Sequence, residues 1–468
     1  MLTRHRLFRA ALSLLLIASL VGLWRAQSTA QASSRIAARA GEQVLAMEEL
    51  ETLLLQRHAF SEDGRDILRH LVQTRMIEYL GDAGDVRVGQ GEINRLWDQL
   101  DRDAKKAGVS GGMAAELKRT GMTPEEFREL LRLQILQQVL TRRALGLADD
   151  ASVSGEQMAV WIDAEIQKRK LEVKNPPWDD GVVAVCGEVK VTVRELAGLL
   201  TQHLGTKDVR DASFHLLLLR GIRARMPDLS GEAHERAIDS EMASRRREVE
   251  GDAAFGGLSF ESLLGAQGMT VESLRRDPSV AIAALSNLWI DRTYDQAGLR
   301  EAYDAERAFF EDRYGEAVQL HALFLRGAKF KNKWNPRTFE EAEAELNALK
   351  PRLTDRERFI EHARSLSEDP RSKASGGELG WVTRGDDQAP PSIRDAAFNH
   401  LGTGGEIPAG GLLLGPVRLE NGLVLLWLSA RRDSPDWAGM SGYVRQELRR
   451  RFLTDVLAQE DVQTFRDG

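Results

Sequence analysis

The pair Gly41-Glu42 recurs at Gly187-Glu188, and a longer pattern recurs with it. At the offset 187 − 41 = 146, Glu49-Leu50 meets Glu195-Leu196, Leu53-Leu54 meets Leu199-Leu200, and Gln56 meets Gln202. Further along, Gly121-Met122-Thr123 meets Gly268-Met269-Thr270 at 268 − 121 = 147. Ordered coincidences at a near-constant spacing point to a duplicated module, so the fold must accommodate two copies of one unit in series. Between these two anchors the match is weak.

The first copy, residues 35–173, reads as a short strand followed by helices. Ile67, Leu68, Leu71, Val72, Met76 and Leu80 fall at helical spacing. Thr123-Pro124-Glu125-Glu126 opens another helix, with Thr123 as cap, Pro124 at the first helical position and Glu126 closing a capping box. Phe127, Leu130, Leu131, Ile135 and Val139 continue it as an apolar stripe. Lys174-Asn175-Pro176-Pro177 disfavours helix and marks a boundary. The second copy spans 178–312 and departs from the first at Pro278, where a proline would kink or end the matching helix.

Residues 316–433 change character. Val318 to Leu325 reads as a buried strand, and Thr338 and Thr354 each head a capping-box sequence that starts a helix. A small-residue loop (Ser372 to Gly377), a short strand (Leu379 to Val382) and a short helix (Ser392 to Leu401) follow. Gly415 to Leu419 and Leu423 to Ser429 read as strands joined through Glu420-Asn421-Gly422, a strong hairpin signal. The segment is therefore α+β. Residues 434–468 are expected to form a C-terminal helix, Trp437 to Phe465, whose stripe of Val444, Leu448, Phe452, Val456 and Leu457 must be buried. A chain of 468 residues supports about three such domains.

The net charge of −7 comes with mixed signs and no clean basic face, which argues against nucleic acid as a partner. The runs Arg245-Arg246-Arg247 and Arg449-Arg450-Arg451 read as solvated helix faces. The single cysteine, Cys186, lies in an apolar run and reads as a buried thiol. No histidine has metal-ligand spacing with a second His or Cys, and neither a nucleophile elbow nor a phosphate loop nor a dinucleotide fingerprint is present. No metal or cofactor is implied.

Arg4, Arg6 and Arg9 precede an apolar stretch from Ala10 to Trp24, and an Ala-x-Ala closes the small polar segment after it. That is the layout of a secretory signal within residues 1–34. The alternative is an uncleaved anchor through residues 10–24. Either places the bulk of the chain outside the cytoplasm.

Residues 316–433 resemble the parvulin (PpiC-type) prolyl isomerases. The resemblance rests on Ser365-Leu366-Ser367-Glu368-Asp369-Pro370, Ser372-Lys373-Ala374 and Gly376-Gly377-Glu378-Leu379-Gly380-Trp381. Ala396-Ala397-Phe398 matches the family's short helix, and Gly405-Glu406-Ile407 with Gly415-Pro416-Val417 matches its closing segment. The duplicated segments resemble, more loosely, the helical chaperone module of SurA-type periplasmic proteins. There a C-terminal helix packs back on the N-terminal module.

Rotation about a peptide bond crosses about 18–20 kcal/mol. Only X–Pro bonds populate cis enough to matter, and they exchange in about 10–100 s. A catalyst needs an apolar slot for the proline ring and polar groups placed for the twisted carbonyl. The parvulin resemblance implies two facing histidines, an acidic residue or cysteine, and an apolar pocket. Carried over, the first histidine is His321, the acid Asp369 and the pocket leucine Leu379. The second histidine position falls on Val424, the pocket Phe on Ile393, the pocket Met on Gln388 or Ala389, and the polar hairpin residue on Asn421. Phe398 adds apolar wall. The loop Pro408 to Leu414 is longer than the family's. His321 and Asp369 are thus catalytic candidates, and Leu379, Ile393, Phe398 and Asn421 substrate-binding candidates.

Two main readings follow. One is an extracytoplasmic prolyl isomerase and chaperone acting on unfolded or nascent secreted and envelope polypeptides. The other is a holdase whose parvulin-like domain has lost catalysis. A membrane-tethered scaffold is a third.

Overall fold

The computed structural model describes residues 36–466, apart from 121, 177, 332, 334–335 and 403–405. The signal or anchor expected in residues 1–34 lies outside the described residues, as do Gly121, Pro177 and Gly405 of the motifs above. Among the described residues no helix is long and apolar enough to cross a membrane. The chain folds into two compact units, one made of the residues up to 286 and from 453 onward, the other of 287–452. Both expected boundaries near 173–178 fall inside the first unit, and the expected break at 312 falls inside the second.

The first unit opens on the hairpin β1 (Ile36–Ala40) and β2 (Gln43–Ala46), followed by α1 (Met47–His58), α2 (Glu62–Ala83), α3 (Gln90–Lys106), α4 (Gly112–Thr120), α5 (Pro124–Ala144) and α6 (Gly155–Lys168). After the short strand β3 (Glu172–Val173), the second copy repeats the order. It has β4 (Val182–Cys186), β5 (Val189–Thr192), α7 (Val193–His203), α8 (Thr206–Ala224), α9 (Gly231–Gly251), α10 (Phe260–Ala266), α11 (Val271–Arg276) and α12 (Pro278–Thr293).

The repeated Gly-Glu has a local cause. Ala40 pairs with Gln43 and Cys186 with Val189, so each Gly-Glu is a two-residue hairpin turn. Gly41 and Gly187 sit at φ +55° and +60°, where a side chain is disfavoured. Thr123 caps α5 with the expected box closed by Glu126. In the second copy the matching helix is broken between α11 and α12, and Pro278 supplies the first residue of the new helix, where its missing N–H costs nothing. Cys186 is buried, its thiol directed at the Ile166 carbonyl 3.5 Å away.

Leu50, Leu53 and Leu54 of α1 and Leu196, Leu199 and Leu200 of α7 are buried, and the two helices pack on each other. Each duplicated pair of leucines thus meets its own counterpart helix. Arg57 of α1 makes a two-pronged bond to Asp277, 2.6 and 2.9 Å, and its guanidinium lies 3.1 Å from His215 Nδ1.

The second unit continues with α13 (Gln296–Ala305) and α14 (Arg307–Tyr314), then β6 (Ala317–Arg326), α15 (Phe339–Leu349), α16 (Arg356–Leu366), β7 (Glu378–Thr383), α17 (Pro391–Gly402), β8 (Leu412–Leu419), β9 (Gly422–Arg432) and α18 (Trp437–Val456). The four strands form one antiparallel sheet in the order β7-β6-β9-β8. Residues of α15 and α16 pack on one face with Leu323, Leu325, Leu425 and Trp427, and residues of α17 pack on the other with Leu320, Ala322, Val424 and Leu426. This is the expected α+β order.

Several details differ from the sequence reading. Asp355, not Thr354, caps α16, accepting from Arg358 N at 2.9 Å, because a carboxylate one residue nearer the helix is the better acceptor. Leu412–Leu414 belong to β8 rather than to a loop, since Leu412 and Leu413 pair with Leu428 and Trp427. The C-terminal helix stops at Val456. After a single 3-10 turn, β10 (Gln463–Thr464) pairs with β1, so the piece that returns to the first hairpin is a strand. The run Arg449-Arg450-Arg451 is solvated only in part: Arg450 is exposed, while Arg449 and Arg451 are half-buried. Glu447 is buried, and Arg450 and Arg451 reach it at 2.7 and 2.8 Å, which holds its carboxyl at about 2 against the opposing push of burial.

His70 on α2 gives the first unit a pH sensitivity. Its Nε2 is buried without a hydrogen-bond partner among the described residues, and burial, aided by neighbouring His203, lowers its pKa from 6.5 to about 4. The unfolded chain binds this proton first as pH falls, so stability present above pH 6.5 is lost between 6.5 and 4. Denaturant unfolding should show the unit losing about 2 kcal/mol from this residue between about pH 7.5 and 5. His70→Leu should flatten that part of the profile. An unchanged profile in the variant would show that His70 is not the group responsible.

Candidate functional site

The motif residues that carry the resemblance first build a scaffold. Ser367 is fully buried, and its Oγ accepts from Phe324 N at 3.3 Å and Asp369 N at 3.4 Å. Glu368 N donates to Phe324 O at 2.8 Å, and the Glu368 carboxylate accepts from Arg326 N at 2.7 Å and from Arg337 Nη1 at 2.9 Å. This stitches the segment after α16 to the end of β6. Asp369 then organises the following turn. Its Oδ2 accepts from Ser372 Oγ at 2.6 Å and its Oδ1 from Arg371 N at 3.3 Å. Partial burial pushes the Asp369 carboxyl up, but these bonds outweigh it and hold the group below the usual carboxylate range.

Gly376 and Gly377 are required by space as well as by φ, +74° and +81°. A Cβ on Gly377 would lie 2.1 Å from Ala322 O, the carbonyl of the strand residue whose N–H donates to Gly377 O at 2.7 Å. The Gly-Gly pair thus lets the loop lie against β6.

The pairing of β6 with β9 decides what faces what. Leu320, Ala322 and Phe324 stand opposite Leu428, Leu426 and Val424, while His321, Leu323 and Leu325 stand opposite Trp427, Leu425 and Leu423. Successive side chains alternate between faces. His321 therefore points to the α15/α16 side, away from Val424. It is 1% exposed, and its Nε2 lies 3.5 Å from Arg356 Nη2 of α16. Arginine can only donate, so Nε2 accepts and the ring proton sits on Nδ1. That Nδ1 and the neighbouring Trp427 Nε1 are buried with no partner among the described residues. Burial, then the Arg356 cation, lower the His321 pKa, against a smaller opposing effect of Glu378. His321 is a neutral imidazole in a helix-covered core.

The α17 side collects the other candidates. Ile393, Phe398, Ala389 and Val424 are buried there in one cluster, with Leu379 packed against it half-buried. Of the two positions open for the pocket methionine, Ala389 enters this cluster and Gln388 is exposed. Phe324, Leu379, Ile407, Leu414, Val417 and Leu419 form its half-buried margin. The Arg384 guanidinium lies 4.4 Å above the Phe398 ring. Asn421 sits exposed in the β8–β9 turn, its carbonyl accepting from Gly327 N at 3.1 Å. The structure thus unites Leu379, Ile393, Phe398 and Val424, and separates them from His321 by the thickness of the sheet. The margin residues Phe324 and Leu414 were not singled out from sequence. Strand alternation about Val424 and Ala322 is the signal that finds them. The margin offers apolar surface with no charged side chain among these residues, which suits the ring of a proline and desolvation of its amide. Among the described residues no group of three or more His, Cys, Asp or Glu side chains could hold a metal.

Gly377→Ala should destabilise the second unit by more than about 2 kcal/mol, combining left-handed strain with the clash on Ala322 O. Thermal unfolding checks this. A loss under about 0.5 kcal/mol would mean that the loop does not need the close approach.

Residues 329–429 match the family model described as the PPIC-type PPIASE domain, or rotamase. The foldase protein PrsA of Clostridium botulinum is 23% identical over 179 residues, covering 38% of this chain and 46% of the relative. The chain thus spans about half the length of the curated relatives it matches. Among solved structures, the peptidylprolyl isomerase PrsA of Bacillus anthracis is similar at 16% identity and TM-score 0.28, covering 53% of this chain and 94% of that one. A SurA-like chaperone structure from Campylobacter jejuni is similar at 19% identity and TM-score 0.23, covering 55% and 91%. Residues 329–429 of this chain thus form a PpiC-type rotamase, or parvulin, domain.

Proposed function

We propose that the protein is an extracytoplasmic folding factor for secreted or envelope polypeptides, and that its rotamase domain isomerises X–Pro bonds of unfolded clients. The observation that carries this reading is the apolar margin on the α17 side of the sheet, where Leu379 and Phe324 stand half-buried over Ile393, Phe398 and Val424. A proline ring seated there loses water around its amide. The rotational barrier falls when the twisted amide is no longer held planar by hydrogen bonds from solvent. No covalent step is needed.

In this reading Leu379, Ile393 and Phe398 form the slot. His321 and Asp369 act through the scaffold, one inside the core behind the sheet and the other in the turn after Glu368. Asn421 holds the β8–β9 turn against Gly327. The extracytoplasmic assignment draws on the N-terminal layout of Arg4, Arg6, Arg9 and the Ala10–Trp24 stretch, whether cleaved or retained as an anchor. The PrsA and SurA-like names of the relatives point the same way.

A second reading is favoured by Val424. A valine there, 1% exposed, leaves the slot without an imidazole, and His321 faces the other side. The domain would then bind proline-containing segments without turning them over, and the helical unit would hold unfolded clients.

Exchange NMR on a short X–Pro peptide separates the two. Under the first reading wild type accelerates exchange, Leu379→Ala lowers the acceleration roughly ten-fold, and His321→Ala leaves it within about three-fold at temperatures where the domain is folded. Absence of acceleration by wild type, across several residues before proline, leaves the binding reading. Suppression of client aggregation should persist in Leu379→Ala under either.

A further inference from the structure

The equivalence of the two copies in the first unit extends beyond the motifs that reveal it in sequence. At an offset of 145 residues, Asp63-x-Arg65-Asp66 of α2 recurs as Asp208-x-Arg210-Asp211 of α8, His70-Leu71 as His215-Leu216, and Arg75 as Arg220 (220 − 75 = 145). The third strand of each small sheet obeys the same rule. Val173 of β3 pairs with Ala184 and Glu172 with Val185, while Thr464 of β10 pairs with Ala38 and Gln463 with Arg39. The partners are offset by 184 − 38 = 146 and 185 − 39 = 146. Even the flanking bonds agree. Lys174 N donates to Val183 O at 2.9 Å, and Phe465 N donates to Ala37 O at 2.9 Å.

The contacts between the two copies are reciprocal. Helix α1 packs on its own counterpart α7. Helix α2 packs on α7 and β5, and its counterpart α8 packs on α1 and β2. The ion pairs follow. Arg75 of the first copy binds Glu195 of the second, Nε to Oε1 at 2.9 Å, and Arg220 of the second copy binds Glu49 of the first, Nη2 to Oε2 at 2.8 Å. Glu49 and Glu195 are themselves counterparts (195 − 49 = 146). Residue i of one half meets j of the other, and j meets i. That is the pattern of an isologous contact about a two-fold axis.

We infer that the contact face of each half is self-complementary, so that the partner it fits is a second copy of the same half, and that the helical unit is a homodimer carried within one chain. The face pairs apolar α1 and α7 at its centre with the Arg75–Glu195 and Arg220–Glu49 bridges at symmetric positions. A half contributed by another chain can take the same place. This inference is independent of the isomerase reading.

Charge reversal in one half tests it in the full chain. In the double variant Glu49→Arg/Arg75→Glu, the new cation at position 49 faces Arg220 and the new anion at position 75 faces Glu195, so both internal contacts become repulsive. Two first halves from different chains would instead place each new cation against a new anion, and the two second halves would keep Glu195 against Arg220. The variant should therefore dimerise by trading halves. At roughly 0.1–1 mM, near the effective concentration a short linker provides, light scattering after refolding should show roughly five-fold more dimer than wild type. Adding Glu195→Arg/Arg220→Glu restores both internal pairs and should return a folded monomer, melting somewhat below wild type because Glu195 also closes the capping box of α7 on Thr192. A double variant that stays monomeric or unfolded while the quadruple variant folds overturns the inference. So does a quadruple variant that fails to fold, since its pairs would then not be the reciprocal ones described.

Discussion

The antiparallel ladder between β6 and β9 governs the rotamase unit. It runs without interruption from the Leu320–Leu428 pair to the Arg326–Gly422 pair, and strand alternation then assigns every side chain of both strands to one face. A slip of one residue would exchange the two cores, sending Val424 under α15 and α16 and His321 under α17. Two features hold the register. The Asn421-Gly422 turn closes β8 onto β9, and at the same end of the ladder Ser367 and Glu368 bind the backbone of Phe324 and Arg326. The Ser-Glu-Asp and Gly-Gly runs that identify the domain are therefore parts of a clamp on β6.

This arrangement changes what the histidine means. In sequence, His321 is a catalytic candidate because of its place in the family pattern. In the fold it is a neutral ring in the helix-covered core, with Arg356 fixing its tautomer. The chemistry left on the open side is apolar apart from the Arg384 guanidinium over the Phe398 ring. A proline-binding surface does not need charge, whereas a polarised amide carbonyl would gain from it. The same geometry therefore accommodates both a modest isomerase and a binding platform.

The helical unit is organised by a different constraint. A short β-hairpin and one amphipathic helix cannot bury Leu50, Leu53 and Leu54 alone, and a second copy of the same surface covers them. In the chain, the rotamase unit lies between the second copy and β10, the strand that closes the first copy's sheet. That is why residues from 453 onward belong to the first unit although the second unit lies between them in sequence.

Local rules make much of this legible. Turns that need Gly, caps that need Thr and Glu, and the 3.6-residue spacing of leucines act within a few residues, so the hairpins, α5, the break at Pro278 and the α+β order can be read from the chain. The motif match places Leu379, Ile393 and Phe398 together because they belong to one pattern of apolar positions, and the fold gathers them on one face. Other features depend on contacts between residues far apart: the face His321 takes, the strand at Gln463–Thr464, the burial of Glu447 among arginines and the reciprocal pairs Arg75–Glu195 and Arg220–Glu49. The elements and the duplication were thus written in the order of residues, because propensity, capping and turn chemistry are local. Which surfaces meet was settled in three dimensions, because register and two-fold pairing are set by packing across more than about a hundred residues of chain.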